Sequence, residues 1–137
     1  MARRTEAYVD TSALIAFLDR SDSYHALFRR LFAAPPPLLT TSLVVAEGHG
    51  WFLKRYDQTR GLQFMALIEE LLPLHLLPAG SDEVAGGTSM LRRFSDQNLT
   101  LTDAMGLHIM KERRVASCWS TDRHLRLTGV PLVIDER

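Results

Sequence analysis

Cysteine is nearly absent from this 137-residue chain: Cys118 stands alone. No internal disulfide can form, which makes a reducing, cytoplasmic compartment the expected location. A surplus of either charge is missing too, since 16 Lys and Arg balance 16 Asp and Glu. Domains that bind nucleic acid usually carry a basic excess. No apolar run approaches the ~20 residues of a membrane span. The segment from Met1 to Asp10 begins basic but has no apolar stretch of the kind a signal peptide needs. The phosphate-cradling glycine loops GxxxxGK[ST] and GxGxxG are absent, as is the GxSxG elbow that would make Ser12 a nucleophile. His25, His49, His75, His108 and His124 form no HExxH or other short zinc spacing. A single thiol cannot make a thiolate site, and Cys118, in the middle of an apolar run, reads as a small buried hydrophobe. These absences leave a cytosolic globular domain.

With 46% apolar residues, one domain spanning residues 1–137 can bury roughly two-thirds of its unfolded surface without staples. Short β-like runs alternate with longer helical ones, the pattern of βαβ units around a parallel sheet. Strands are expected over 6–10, 38–40, 74–77, 115–120 and 131–134. Helices are expected over about 13–18, 23–33, 42–56, 59–72, 81–94 and 102–113, with a short one after Thr121-Asp122. Pro35-Pro36-Pro37 ends the second helix and Pro73 closes the fourth. Ser42 is the expected N-cap of the third. Gly86-Gly87 weaken the fifth by roughly 1 kcal/mol each relative to Ala. The expected architecture is α/β, with about five strands and seven helices.

In an open α/β sheet, ligands bind beyond the carboxyl ends of the strands, and four acids fall there. Asp10 closes the first strand, Glu47 lies about a turn into the helix after the second, Asp103 begins the sixth helix, and Asp122 follows the fourth strand. Asp10, Asp103 and Asp122 each have an alternative reading as helix caps or first-turn dipole partners, worth about 0.5–2 kcal/mol. Glu47 resists that reading, because Leu43-Val44-Val45-Ala46 precedes it and Trp51-Phe52-Leu53 follows. A carboxylate in so apolar a helix is costly to bury unless a cation or several donors meet it. Four acids at one sheet edge repel each other, and a divalent cation relieves that repulsion. Oxygen ligands favour Mg²⁺ or Mn²⁺ over zinc. Setting these four acids aside leaves +4 on the rest of the chain, counting 16 cations against the other 12 acids. Fourteen of the sixteen cations are Arg, in the doublets Arg3-Arg4, Arg29-Arg30, Arg92-Arg93 and Arg113-Arg114. They read as solvated helix faces or as bidentate phosphate contacts.

The segments Tyr8-Val9-Asp10-Thr11-Ser12, Ser42-x₄-Glu47, Leu99-Thr100-Leu101-Thr102-Asp103-Ala104 and Asp122-Arg123-His124-Leu125, in that order, resemble the PIN-domain family. The likeness is strongest to the toxin ribonucleases of VapBC-type toxin–antitoxin pairs, and it spans nearly the whole chain. Ser120 stands where the family often has Thr, and Leu125 where it favours Phe. The resemblance implies a PIN-like three-layer sandwich and a Mg²⁺-dependent endoribonuclease. Asp10 and Asp103 would be direct metal ligands, with Asp122 there or on a second ion. Glu47 would hold metal-bound water or complete the cluster. Ser12 and Thr121 are candidates to orient the ligating carboxylates, with helix-capping hydroxyls as the alternative. The implied partners are an RNA substrate, a cognate antitoxin and a second copy of the chain in a homodimer. Apolar faces carrying Phe17, Leu18, Phe28, Leu31, Phe32, Leu62, Met65 and Leu67 would form core, with any remainder available to an amphipathic antitoxin helix. A PIN nuclease of RNA maturation and a non-catalytic PIN-fold interaction module are the alternatives.

Overall fold

The computed structural model describes residues 5–71 and 74–136. The Arg3-Arg4 doublet, Leu72 and Pro73 lie outside the described residues. In chain order the elements are β1 (Ala7–Val9), α1 (Thr11–Leu18), α2 (His25–Ala33), β2 (Leu38–Thr41), α3 (Ser42–Arg55), α4 (Gln58–Glu70), β3 (Leu74–Leu77), α5 (Ser81–Arg93), α6 (Leu101–Arg113) and β4 (Ser117–Trp119). Two 3₁₀ turns, Arg123–Arg126 and Val133–Asp135, follow. Among the described residues, no helix is long and apolar enough to cross a membrane.

The strands form one sheet in the order β3-β2-β1-β4, every pair parallel. Helices flank it, as the βαβ pattern requires. β1 and β2 are buried along their whole length, while β3 is the partly exposed edge. That burial explains why Ala7-Tyr8-Val9 and Leu38-Leu39 read as continuous apolar runs rather than alternating ones. The chain steps outward from β1 to β2 and β3, then returns to place β4 on the other side of β1. The order therefore reverses between β1 and β4, and a crevice opens beyond their carboxyl ends.

The expected fifth strand is not a strand. Leu132 makes a single bridge to Cys118, after which the chain tightens into the second 3₁₀ turn. Leu132 and Ile134 are still buried, so the apolar run met its need for burial without a ladder. Asp135 is instead held by Arg123 and Arg126, at 3.1 and 3.3 Å. The cap of α3 also moves by one residue: the Thr41 hydroxyl, not that of Ser42, accepts the Val44 N–H.

Helix packing accounts for Gly86 and Gly48. A methyl group on Gly86 would meet the His108 ring at 2.3 Å, so the glycine that weakens α5 is what lets α5 lie against α6. On α3, a Cβ at Gly48 would stand 2.3 Å from Phe64 Cζ, and the Phe64 ring is fully buried. Gly48→Ala should therefore destabilise the fold by about 1–3 kcal/mol, although helix propensity alone favours Ala. Urea unfolding of the two proteins measures the difference.

The apolar faces went mostly into the core. Phe28 and Phe32 are buried, and Phe32 meets Trp119 edge-on at 4.9 Å. Phe17, Leu18, Leu31, Met65 and Leu67 are half-buried against the core, and Leu62 is exposed. Cys118 is buried, as its apolar setting implied.

Candidate active site

Asp10 is the first residue past β1 and the N-cap of α1, yet its side chain makes no capping bond. The carboxylate instead accepts from two hydroxyls at Oδ2: Ser12 Oγ at 2.8 Å and Ser120 Oγ at 2.9 Å. Its own N–H donates to the Trp119 carbonyl at 3.0 Å, which ties the end of β1 to the end of β4. The Asp10 side chain is buried, 4% exposed. Burial pushes its pKa up from 3.8 to about 6, against the pull of the two serine bonds, and the charges of Asp103 and Glu47 push the same way.

Around it the β4–turn segment is stitched by the same hydroxyls. Ser12 Oγ accepts the Thr121 N–H at 3.0 Å, and Ser120 Oγ accepts the Asp122 N–H at 2.9 Å. Asp122 caps the following 3₁₀ turn, accepting from the His124 N–H at 3.0 Å, with His124 Nδ1 3.1 Å away. Asp103 is the third residue of α6 and forms a reciprocal cap with Thr100. Its pKa is raised by partial burial and by the charges of Asp122 and Glu47, against the bonds from Thr100.

The four acids therefore meet. Asp10, Glu47, Asp103 and Asp122 line one cleft of about 310 Å³, with Thr11, Ser12, Ile15, Trp51 and Thr100. The capping explanation holds for Asp103 and Asp122, which cap and face the cleft at once; for Asp10 it fails. Glu47 corrects the sequence argument, because its side chain is exposed rather than buried. α3 turns that position to the cleft while Val44 and Phe52 go inward. Ser120 was missed as a partner of Asp10, although its place two residues before Asp122 was a usable signal. Thr121 supplies its backbone N–H to Ser12.

These residues suit a hard divalent cation. The donors are all oxygens, neighbouring carboxylates help to raise the pKa values of Asp10 and Asp103, and the buried Thr11 hydroxyl beside them has no hydrogen-bond partner among the described residues. Among the described residues no three acidic, His or Cys side chains are gathered into a ready ligand shell. An ion would be held by one or two carboxylates with water or substrate oxygens completing the shell, the usual arrangement for Mg²⁺.

A family model described as the PIN domain matches residues 7–130. The chain belongs to the PIN-domain family. Solved structures agree in fold. The VapC20 toxin of Mycobacterium tuberculosis, described as cleaving the sarcin–ricin loop, superposes with a TM-score of 0.84 at 21% identity, over 93% of this chain and 98% of that one. A toxin–antitoxin complex from Klebsiella pneumoniae gives 0.62 at 20% identity, over 91% and 92% of the two chains. VapBC2 from Rickettsia felis, bound to a promoter DNA fragment, gives 0.64 at 10%, over 93% and 97%. No curated protein sequence matches the chain significantly.

Within this PIN domain, Ser120 is the residue whose loss would disturb the orientation of Asp10 while leaving all four carboxylates in place. Ser120→Ala removes one of the two donors to Asp10 and frees the Asp122 N–H. Activity should fall about 10–100-fold, the usual cost of an outer hydrogen-bond partner at a metal site. Single-turnover RNA cleavage of both proteins, with unfolding curves as a control, provides the check.

Proposed function

We propose that this PIN domain is a Mg²⁺-dependent endoribonuclease, the toxin of a toxin–antitoxin pair, with Mn²⁺ as a possible substitute ion. One observation carries the reading: Asp10, buried and not spent on capping, faces three further carboxylates where the strand order reverses. Asp10 and Asp103 hold the ion, with Asp122 there or at a second ion, and Glu47 orients water at the cleft mouth. When bound, the ion supplies a lowered pKa for its water and neutralises charge on the scissile phosphate. The protein's own part is orientation. Ser12 and Ser120 hold the Asp10 carboxylate, and the Thr100 cap holds Asp103.

The toxin–antitoxin complexes among the structures of like fold support an antitoxin partner; a homodimer is what the resemblance to VapBC toxins implies. Incubation of the purified protein with total RNA in Mg²⁺, Mn²⁺ or EDTA tests the nuclease reading. Cleavage is expected with either metal and not with EDTA; cleavage unaffected by EDTA, or none at all, overturns it. Co-expression with the neighbouring small gene should yield a stable complex with suppressed activity. If no neighbouring product binds, the reading moves to a nuclease of RNA maturation.

A further inference from the structure

The carboxylate cleft continues along α3 into a second one. The second cleft, of about 600 Å³, is lined by Ala46, Glu47, Gly50, Trp51, Lys54 and Arg55. It shares Glu47 and Trp51 with the first. Glu47, Gly50, Trp51, Lys54 and Arg55 are spaced i, i+3, i+4, i+7 and i+8, so they form one face of a single helix. Along about 10 Å of that axis, the face passes from a carboxylate through a bare glycine and a half-exposed indole to two cations.

We propose that this face is the subsite for single-stranded RNA flanking the scissile phosphate: a base stacks on Trp51, and Lys54 and Arg55 hold a backbone phosphate. The proposal rests on the nuclease reading and names what grips the substrate beside the acids. Four carboxylates repel a polyanion, and a metal ion offsets that only at the bond being cut. Affinity for the rest of the strand must come from cations and stacking close by. Here both are on one rigid helix whose other side is anchored by the buried Phe52. The Trp51 indole is itself braced edge-on by Phe52, at 4.9 Å, and by Tyr56, at 6.2 Å. Arg55 also feels the Asp19 carboxylate, which leaves Lys54 as the stronger phosphate contact. Gly50 is the open floor: a Cβ there meets nothing within 4 Å.

Gly50 provides a variant that does not endanger the fold. Gly50→Leu adds a helix former where there is room, so thermal stability should hold or rise while the path is blocked. Binding is read by anisotropy of a labelled 12-nucleotide single-stranded RNA with Ca²⁺ in place of Mg²⁺, and independently by quenching of tryptophan emission. Trp51→Ala should weaken binding about 5- to 100-fold, Trp51→Phe should restore most of it, and quenching should be much reduced in both. The double variant Lys54→Ala, Arg55→Ala should lower the slope of log affinity against log salt by about 0.7, the value for one phosphate on a single strand. The double variant Arg29→Ala, Arg30→Ala removes equal charge from the exposed face of α2 and should leave binding unchanged.

Binding indifferent to Trp51, to Gly50→Leu and to the Lys54–Arg55 pair, with metal-dependent cleavage intact, overturns the subsite and leaves the nuclease standing. Trp51-dependent binding without any cleavage by the wild type overturns the nuclease reading and supports the subsite as a nucleic-acid grip.

Discussion

Asp10→Asn should abolish most RNA cleavage and yet make the metal-free protein more stable. The loss should exceed about a hundredfold, because even the outer partners of metal ligands cost 10–100-fold. The gain follows from the same geometry. Burial, and after it the charges of Asp103 and Glu47, raises the Asp10 pKa to about 6. An amide of the same shape keeps an oxygen for the Ser12 and Ser120 hydroxyls and carries no charge. At pH 7.5 in EDTA the variant should exceed the wild type by up to about 3 kcal/mol, the free-energy equivalent of the displacement from 3.8. Mg²⁺ should close most of that gap, since an ion at a hundred times its dissociation constant stabilises the form that binds it by about 2.7 kcal/mol. Calorimetric melting of both proteins in EDTA and in Mg²⁺ decides the matter. A lower melting temperature for the variant in EDTA, with no metal response in the wild type, would mean that the four carboxylates form no metal site.

The second large effect is in pH. Asp10 in the folded protein titrates near 6 and in the unfolded chain near 3.8, so the folded state binds more protons between those values. Stability from this group is fully present below 3.8 and is lost as pH rises through 6. The metal-free protein should therefore gain about 1–1.5 kcal/mol when pH falls from 7.5 to 5. Asp103, half-buried and also raised, adds to the same trend. Asp19 works oppositely: its pKa is lowered by bonds from Ser21 and Tyr56 and by the Arg55 charge, which outweigh its burial. Its contribution is lost only as pH falls below the ordinary carboxylate range, so Asp19 adds nothing to the slope of urea unfolding between pH 5 and 7.5. In Asp10→Asn most of the slope should vanish. A wild type that weakens steadily from pH 7.5 to 5 would contradict the burial and charge crowding at Asp10.

Asp10, Asp103 and Asp122 were legible in the chain because each sits at a boundary where an apolar run changes period, and such boundaries mark strand ends and helix starts. β3 was read at its true bounds, 74–77, since proline stands on both sides. The last apolar run was misread for a local reason: four apolar residues suit a strand and a buried 3₁₀ turn equally well. Glu47 was misjudged because an apolar surrounding in sequence need not be one in space; at helical period Val44 and Phe52 turn to the core, while Trp51 shares its face.

What the sequence by itself determined was the alternation of strands and helices, the buried character of β1 and β2, and four carboxylates at carboxyl ends. What only the tertiary structure decided was who meets whom. The placement of β4 beside β1 is a pairing between residues 110 positions apart, and no local propensity encodes it. That pairing brings the Ser120 hydroxyl to Asp10 and so makes a carboxylate that could have capped a helix into a buried charge. The helical twist of α3 then decides the rest, carrying Glu47, Trp51 and Lys54 along one face while Val44, Gly48 and Phe52 go to the core. Spacing along a chain fixes which residues can share a face; only the packing of that face against its neighbours settles which side meets solvent and substrate.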